Sequence, residues 1–591
     1  MVARFLVTTA LEETWPEEGV PVLFLGEWCR LYERKSAWEK RDAVVVPYHW
    51  DDRLKLHQDY LYLQALFEVL LKELAMRLNE LHRVDHSLRY WRIIVGPWLG
   101  YFIQMLFDRW SMLRQVLRNH EIAGVRVLRN PEGELVPNDM AAFTRVFIGD
   151  AWNQSIYGHI LGWMGVSVDS VAPKYQTLNG SVDRMSRVSA GRRVKRGLAR
   201  VASSLSGLIC RKDEYFFIAS YLGIQQDIQL QAKLGQIPKL WQSVVVPDYQ
   251  FDPAQRQWQL PECNSNDEFS TLARAMISRQ LPKAYLEGYQ ALVSLTENLP
   301  WPKNPQAIFT SNSFIADDVF STWAAKKVES GAPLLIGQHG GNYGLALWNF
   351  SEDHERAIAT RFLTWGWTGQ DPNNITPIGN FKGFSKRVAA NKEGIALLVE
   401  MAMPRQSYWM YSVPVSAGQW LSYFDDQCRF AQALPEELRA QLLVRLFSSD
   451  YGLSQRQRWH DRFPDIRLDS GEQPMARLLQ KTRIYISTYN ATTYLESLSL
   501  NFPTIIFWNP KHWELRKYAC PYFEKLKSVG IFHETPESAA RQMAEVWDDV
   551  HGWWQSTEVQ AARQEFCERY SHLPEQQLEI LTKLFRTIAH Q

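Results

Sequence analysis

The sequence predicts an α/β protein made of two Rossmann-like domains facing a cleft, with helical insertions in the N-terminal half. Three observations predict it. Short β-rich runs alternate with helical stretches, most clearly from Gln306 onward. The runs end in small or polar residues, the positions where ligands sit beyond the carboxyl ends of parallel strands. Between two alternating regions lies IGNFKGFSKRVAANKEG, a Gly/Lys/Asn-rich stretch with no apolar period, which places an interdomain link near residues 380–392.

In chain order, Phe5–Thr9, Val20–Leu25 and Ala43–Pro47 read as strands. Leu63, Leu66, Leu70, Leu74 and Leu78 recur at helical spacing and predict a helix from about Leu54 to Leu81. A second helix is expected over Tyr101–Leu117, after a break at Gly96-Pro97. Residues 122–240 read as a helical and basic insertion. Within it Val194, Leu198, Val201, Leu205 and Leu208 lie beside Arg192, Arg193, Lys195, Arg196 and Arg200, the pattern of an amphipathic helix that either packs on the core or rests on an anionic membrane surface. A βαβ unit follows: strand Ala307–Thr310, the loop SNSFIADD, a helix to about Ser330, and strand Pro333–Gly337 ending in QHGGNYG. Strands resume at Gly394–Val399, Leu443–Phe447, Ile484–Ser487 and Thr504–Trp508, giving domains over 1–385 and 386–591.

Composition narrows the function. At 591 residues and 46% hydrophobic the chain has material for more than one core. Its 65 Lys and Arg nearly cancel its 64 Asp and Glu, so no overall field attracts nucleic acid. The six cysteines are scattered without metal-ligand spacing, which predicts a reducing, cytoplasmic setting and no structural metal. The start, MVARFLVTT, lacks a signal-peptide core. Most of the 24 tryptophans are expected in cores, although indole faces also stack on sugars.

Four places carry candidate chemistry. Ser487, Thr488, Asn490, Thr492 and Thr493 fall between a strand and a helix start, where free N–H groups and hydroxyls suit a phosphate, or alternatively serve as ordinary caps. Glu496, one turn into that helix, is placed to accept from a ribose diol. Gly340, Gly341 and Asn342 give a turn of close backbone approach beside His339, which as imidazolium would stabilise a phosphate or act as an acid. Asp317 and Asp318 precede a helix, as caps or as a carboxylate beside the cleft, with Glu352 and Glu355 next along the chain, readable as a solvated helical face. Arg445, in a strand, is placed to reach a phosphate. HWDDR at 49–53 holds an acid pair without further metal ligands.

VPYHWDDR, SLRYWRIIVGPWL, IGQHGGNYG, FLTWGW, STYNATTYLESL and GIFHETPESAA together resemble a family of transferases from bacterial O-antigen and capsule gene clusters, across essentially the whole chain. That family is similar to GT-B glycosyltransferases that use CMP-activated Kdo or pseudaminic acid. The resemblance implies an N-terminal acceptor domain and a C-terminal nucleotide-sugar donor domain, with donor contacts at His339 to Asn342 and Thr488 to Thr493. The βαβ unit, whose two post-strand loops should lie side by side at the sheet's carboxyl edge, places a catalytic carboxylate at Asp317 or Asp318, Asp318 favoured, assisted by His339, and the resemblance favours covalent attack by it. No cofactor is implied beyond a CMP-linked nonulosonic acid as co-substrate, and a lipid-linked surface-polysaccharide glycan would be the acceptor. His-Gly at 339–340 departs from the His-Pro of sialyltransferases and leaves the nucleotide open. A polyol-phosphate transferase, a nucleotide-sugar epimerase and a non-catalytic polysaccharide-binding scaffold are the alternatives.

Overall fold

A computed structural model describes residues 2–589 except 174–209, 262–266, 370–373, 383–387, 407, 409, 411–413, 415 and 416. The basic amphipathic stretch at 184–212 therefore falls almost entirely outside the described residues. Among the described residues no helix is long and apolar enough to cross a membrane, no cluster of acids, histidines and cysteines is arranged to hold a metal, and the cysteines are free.

The class is α/β with parallel sheets throughout, and there are three of them. The first joins β1 (Arg4–Val7), β2 (Val22–Phe24), β3 (Ala43–Val45), β4 (Ile122–Leu128) and β5 (Asp169–Val171) in the order β3-β2-β1-β4-β5. The second joins β6 (Phe216–Phe217), β7 (Ile308–Thr310), β8 (Leu334–Gly337), β9 (Arg361–Thr364) and β10 (Ile375–Pro377), lying side by side in sequence order. The third contains β11 (Ile395–Val399), β12 (Leu442–Arg445), β13 (Arg467–Asp469), β14 (Thr482–Ser487), β15 (Thr504–Phe507) and β16 (Phe532–His533) in the order β13-β12-β11-β14-β15-β16. That order starts in the middle and winds both ways, the doubly wound arrangement, with its switch point between β11 and β14. The second and third sheets are the two facing Rossmann-like units that the sequence predicts. The first sheet is an addition within 1–385.

A helical layer joins the first two sheets. α1 (Arg53–His82) starts where Asp52 accepts from the Lys55 N–H at 3.0 Å and ends at Arg83 in left-handed geometry, so both termini are capped. α2 (Leu88–Asn119) starts at Ser87, which caps the Tyr90 N–H, and runs unbroken through Pro97. The expected break at Gly96-Pro97 is absent because the glycines there serve packing. A Cβ on Gly100 would fall 1.8 Å from the Phe350 ring, and one on Gly96 2.6 Å from His354. Four further helices follow: α3 (Met140–Val146), α4 (Asp150–Trp163), α5 (Asp318–Glu329) and α6 (Phe350–Ile358). The third sheet carries α7 (Ala417–Ala433) and α8 (Thr492–Ser499). The last helix, α9 (Gln577–Ala589), returns to the second sheet, its Phe585 ring lying 5.1 Å from Phe217 and 5.6 Å from Phe309. Trp50, Trp91, Trp98 and Trp152 are fully buried, as the core reading of the tryptophans expects.

Two seams lock the third sheet to the rest. Residues 345–347, just after the QHGGNYG turn, exchange backbone hydrogen bonds with 514–516, and Arg516 donates to Glu352 at 2.8 Å. At the first sheet, Arg405 pairs with Asp150 at 2.7 Å and donates to the Trp28 carbonyl. HWDDR acts here too: Asp52 caps α1, Arg53 binds Glu514 through two hydrogen bonds, and Asp51 accepts from Gln419 at 3.1 Å. Both of its acids make structural hydrogen bonds.

Candidate active site

The carboxyl ends of the second and third sheets meet. A Cβ on Gly341 would lie 2.1 Å from the Ala491 carbonyl carbon and 2.3 Å from the Thr492 nitrogen, so the QHGGNYG turn is seated directly on the start of α8. Only a residue without a side chain permits that approach. The two turns singled out in the sequence, 150 positions apart at Gly341 and Ala491, are thus joined by tertiary packing.

 Replacing Gly341 by alanine should force the seam apart and destabilise the protein by about 1–3 kcal/mol, the usual range for overpacking, read as a lower urea midpoint. An unchanged midpoint would mean that the turn is not held against α8.

α8 starts with Ala491 at its cap position, and no side chain caps its first N–H groups. The ordinary-cap reading of this turn therefore does not describe it. Thr488 is buried and spans to the neighbouring strand, donating to the Val399 carbonyl at 2.8 Å and sharing a 2.6 Å hydrogen bond with Tyr423. Ser487 is buried at the end of β14. Asn490 accepts from Tyr494 at 3.0 Å, while its buried Nδ2 has no partner. Thr492, Thr493 and Glu496 are partly exposed, and Lys382 approaches Glu496 at 3.8 Å. Arg445 sits at the end of β12 with its guanidinium donating to Asp469 and to the Gly471 carbonyl, both at 3.0 Å, so its role here is to tie strand ends together.

On the facing side, Gln338 frames the turn by donating to the Gly340 carbonyl and accepting from the Trp367 indole, both at 2.8 Å. Asn342 is buried and accepts from Asn349, the cap of α6, at 2.8 Å. His339 is one-fifth exposed, its ring parallel to that of Tyr221 with centroids 6.1 Å apart. Tyr221 has a φ of +60°, rare for a residue with a side chain and a form of strain that recurs at functional sites. It accepts a 2.8 Å hydrogen bond from Asn312, and Lys382 lies 5.0 Å from its ring centre.

The carboxylate beside His339 is Glu355. His339 Nδ1 lies 3.7 Å from Glu355 Oε1, and neither Nδ1 nor Glu355 Oε2 has a hydrogen-bond partner. Tyr343 donates to the other oxygen of Glu355. Burial, reinforced by the nearby Glu352, holds the Glu355 carboxyl well above the usual range. Burial and then Lys382 push His339 down to about 4. That direction favours a neutral imidazole at His339 over the imidazolium expected from the sequence. Glu352 and Glu355 are both fully buried and do not form a solvated face.

Asp317 and Asp318 do not join this pair. Asp317 caps α5 by accepting from the Phe320 N–H at 3.0 Å. Asp318 is buried, one oxygen accepting from the Met140 N–H at 2.9 Å and the other from the Tyr285 hydroxyl, so it points into the helical layer. Burial pushes Asp318 up to about 7. Because the folded value exceeds the ordinary 3.8, Asp318 binds its proton more tightly when folded, and its contribution to stability falls as pH rises from about 4 to about 7. Asp318→Asn should remove that term. The stability of the variant relative to wild type should therefore rise across this window and level off above it, as measured by urea unfolding at several pH values; a pH-independent difference would refute the assignment.

Two further groups escaped the sequence reading. Tyr221 follows the two-residue strand β6 within the stretch that reads as a helical and basic insertion. Glu400, immediately after β11 at the switch point, is buried, accepts from the Trp459 indole at 2.8 Å, and is pushed up to about 8 by burial. The signal for Glu400 was present: an acid directly after the apolar run IALLV.

Comparison with known proteins adds the following. The chain is similar to the solved structures of MurG from Acinetobacter baumannii (12% identity, TM-score 0.31, covering 78% of this chain and 98% of that one) and of spinosyn rhamnosyltransferase SpnG complexed with spinosyn aglycone (11%, 0.28, 83% and 97%). It is also similar to UDP-GlcNAc 2-epimerase from Neisseria meningitidis bound to UDP-GlcNAc (11%, 0.28, 48% and 80%). At these scores no chemistry transfers from them. No curated protein matches the chain. The match that decides its family extends over residues 4–585, from the first strand of the first sheet into α9, and by it the chain belongs to the LIC12162 family of transferases.

Proposed function

We propose that this transferase moves a sugar from a nucleotide-activated donor to a glycan acceptor at the junction of the second and third sheets. The observation that carries the reading is the seating of the QHGGNYG turn on the uncapped start of α8. It sets free N–H groups and a helix dipole, suited to donor phosphates, beside a buried acid–base pair. His339 takes the proton of the attacking hydroxyl, with Glu355 behind it to orient the ring and exchange a proton with it; environments that drive an acid's pKa up and a base's down mark such pairs. Lys382 adds positive charge where the leaving phosphate develops negative charge. The donor is read as a CMP-linked nonulosonic acid and the acceptor as a lipid-linked surface polysaccharide, both from the motif resemblance.

A thermal-shift screen against CMP, UDP, GDP and their sugars tests the donor, since a ligand of the native state raises its melting temperature. CMP and CMP-sugars should give the largest rise, and a rise confined to UDP or GDP compounds would remove the CMP reading. Thr492→Val combined with Glu496→Ala should weaken nucleotide binding without unfolding the chain, each lost hydrogen bond to a charged or diol group costing about 1.5–3 kcal/mol. Unchanged affinity by calorimetry would take the donor away from α8.

A further inference from the structure

The third sheet meets the first sheet in a second cleft, on residues separate from the junction above. Its walls are the loops after β2 and β12 and the start of α7. A cavity of about 140 Å³ there is lined by four cations, Arg30, Lys35, Arg405 and Arg458, against a single carboxylate, Glu27. Glu27 is already paired with Arg30 at 3.0 Å. Lys35 and Arg458 form no ion pair with a described carboxylate; both rest on the Tyr32 ring, at 3.7 and 4.0 Å from its centre, and Arg458 Nε also donates to the Leu453 carbonyl at 2.8 Å. Burial lowers the pKa of Arg458, the direction expected for a cation held without enough compensating charge.

Arg405 supplies an independent indication. Its side chain is more than nine-tenths buried, and its two terminal nitrogens are engaged by Asp150 and by the Trp28 carbonyl. Arg405 lines the same cavity, and its buried Nε, which a Cβ on the lining Gly452 would approach to 3.2 Å, has no hydrogen-bond partner. A buried guanidinium N–H left unmatched is costly and is normally answered by a ligand or water. Ala417, at the start of the 17-residue α7, also lines the cavity, and the first turn of α7 carries no acid to offset its dipole. Sharing Glu27 as a wall is a second chamber of about 380 Å³ with Trp28, Tyr48, Gln419 and Ser422 among its lining, aromatic faces and hydrogen-bonding groups of the sort that hold a sugar ring.

We propose that this cleft binds a phosphorylated sugar, its phosphate held by Lys35, Arg405 and Arg458 and its ring in the adjoining chamber. The excess of cations identifies the anion, and the neighbouring chamber identifies what the anion is attached to. The site is independent of the donor reading and survives if that reading fails.

Calorimetry on the full chain tests it with glucose 1-phosphate, inorganic phosphate and glucose at matched ionic strength. Wild type should bind glucose 1-phosphate more tightly than phosphate. Lys35→Gln combined with Arg458→Gln should weaken both by about tenfold or more, the loss expected for removing charge-assisted hydrogen bonds. The Thr492→Val, Glu496→Ala variant should bind both as wild type does. Lys35→Gln alone, which gives up only a ring contact, serves if the double variant does not fold. Undiminished phosphate binding in the cation variants overturns the site, and loss in the Thr492, Glu496 variant would assign the phosphate to the other junction. Equal affinity for phosphate and glucose 1-phosphate would overturn the sugar half.

Discussion

Glu355→Gln should lower turnover by about 10²–10⁴-fold, the usual weight of a positioned acid or base, while nucleotide affinity and the urea midpoint stay close to wild type. The substitution keeps an oxygen for the Tyr343 hydroxyl and removes only the ability to exchange a proton with His339, 3.7 Å away. His339→Ala should cost a similar factor, and the double variant little more than either single, because two groups that act as a unit lose their function together. Near-normal turnover in Glu355→Gln would leave the buried pair a structural one and return the search to Asp318. The anomer of the product is informative beside it: a base acting on the acceptor in a single displacement inverts the donor configuration, whereas a covalent glycosyl-enzyme retains it.

The sequence disclosed strands better than sites. Runs such as AVVV, PLLIG and IALLV are β-branched or apolar, short and bounded by turn residues, so β3, β8 and β11 were legible. β6, only Phe216–Phe217, carries no period at all and takes its place from neighbours on the sheet. The sheet count was not legible either, since pairing between strands leaves no trace in local pattern: nothing in Phe5–Thr9 or Ala307–Thr310 says that they belong to different sheets. Both turns of the candidate site stand out in the sequence because their glycines and hydroxyls directly follow strands, where ligands sit beyond a parallel sheet's carboxyl edge. Glu355 was misread for a specific reason. FSEDHERA is polar enough to look solvated, but Tyr343, Arg516 and the Gly344 N–H arrive from other elements to bury its acids and hydrogen-bond all but Glu355 Oε2 among the carboxylate oxygens of Glu352 and Glu355. The same blindness favoured Asp318, whose adjacency to the cleft in sequence is cancelled by the direction in which its side chain leaves the first turn of α5.

The largest loss of stability should follow Asp108→Ala. Asp108 is buried on α2, accepting from His49 at 3.0 Å and pairing with Arg109, which is itself fully buried. Arg109 in turn donates to Asn153 on α4 at 2.7 Å and to the Gln406 carbonyl after β11, so this one carboxylate balances a charge that spans the first sheet, the helical layer and the third sheet. Its removal leaves a guanidinium without water or counter-charge, which costs about 3–5 kcal/mol where a buried pair is broken from one side. That is a large fraction of a typical domain's total stability, and the urea midpoint should drop accordingly. The opposite design separates charge from packing: Asp108→Leu combined with Arg109→Met removes both ions and should recover a substantial part of the loss, since replacing a whole buried pair by apolar groups is often close to neutral. A double variant no more stable than Asp108→Ala would show that the hydrogen bonds of Arg109 to Asn153 and Gln406, and not its pairing with Asp108, hold the three layers together.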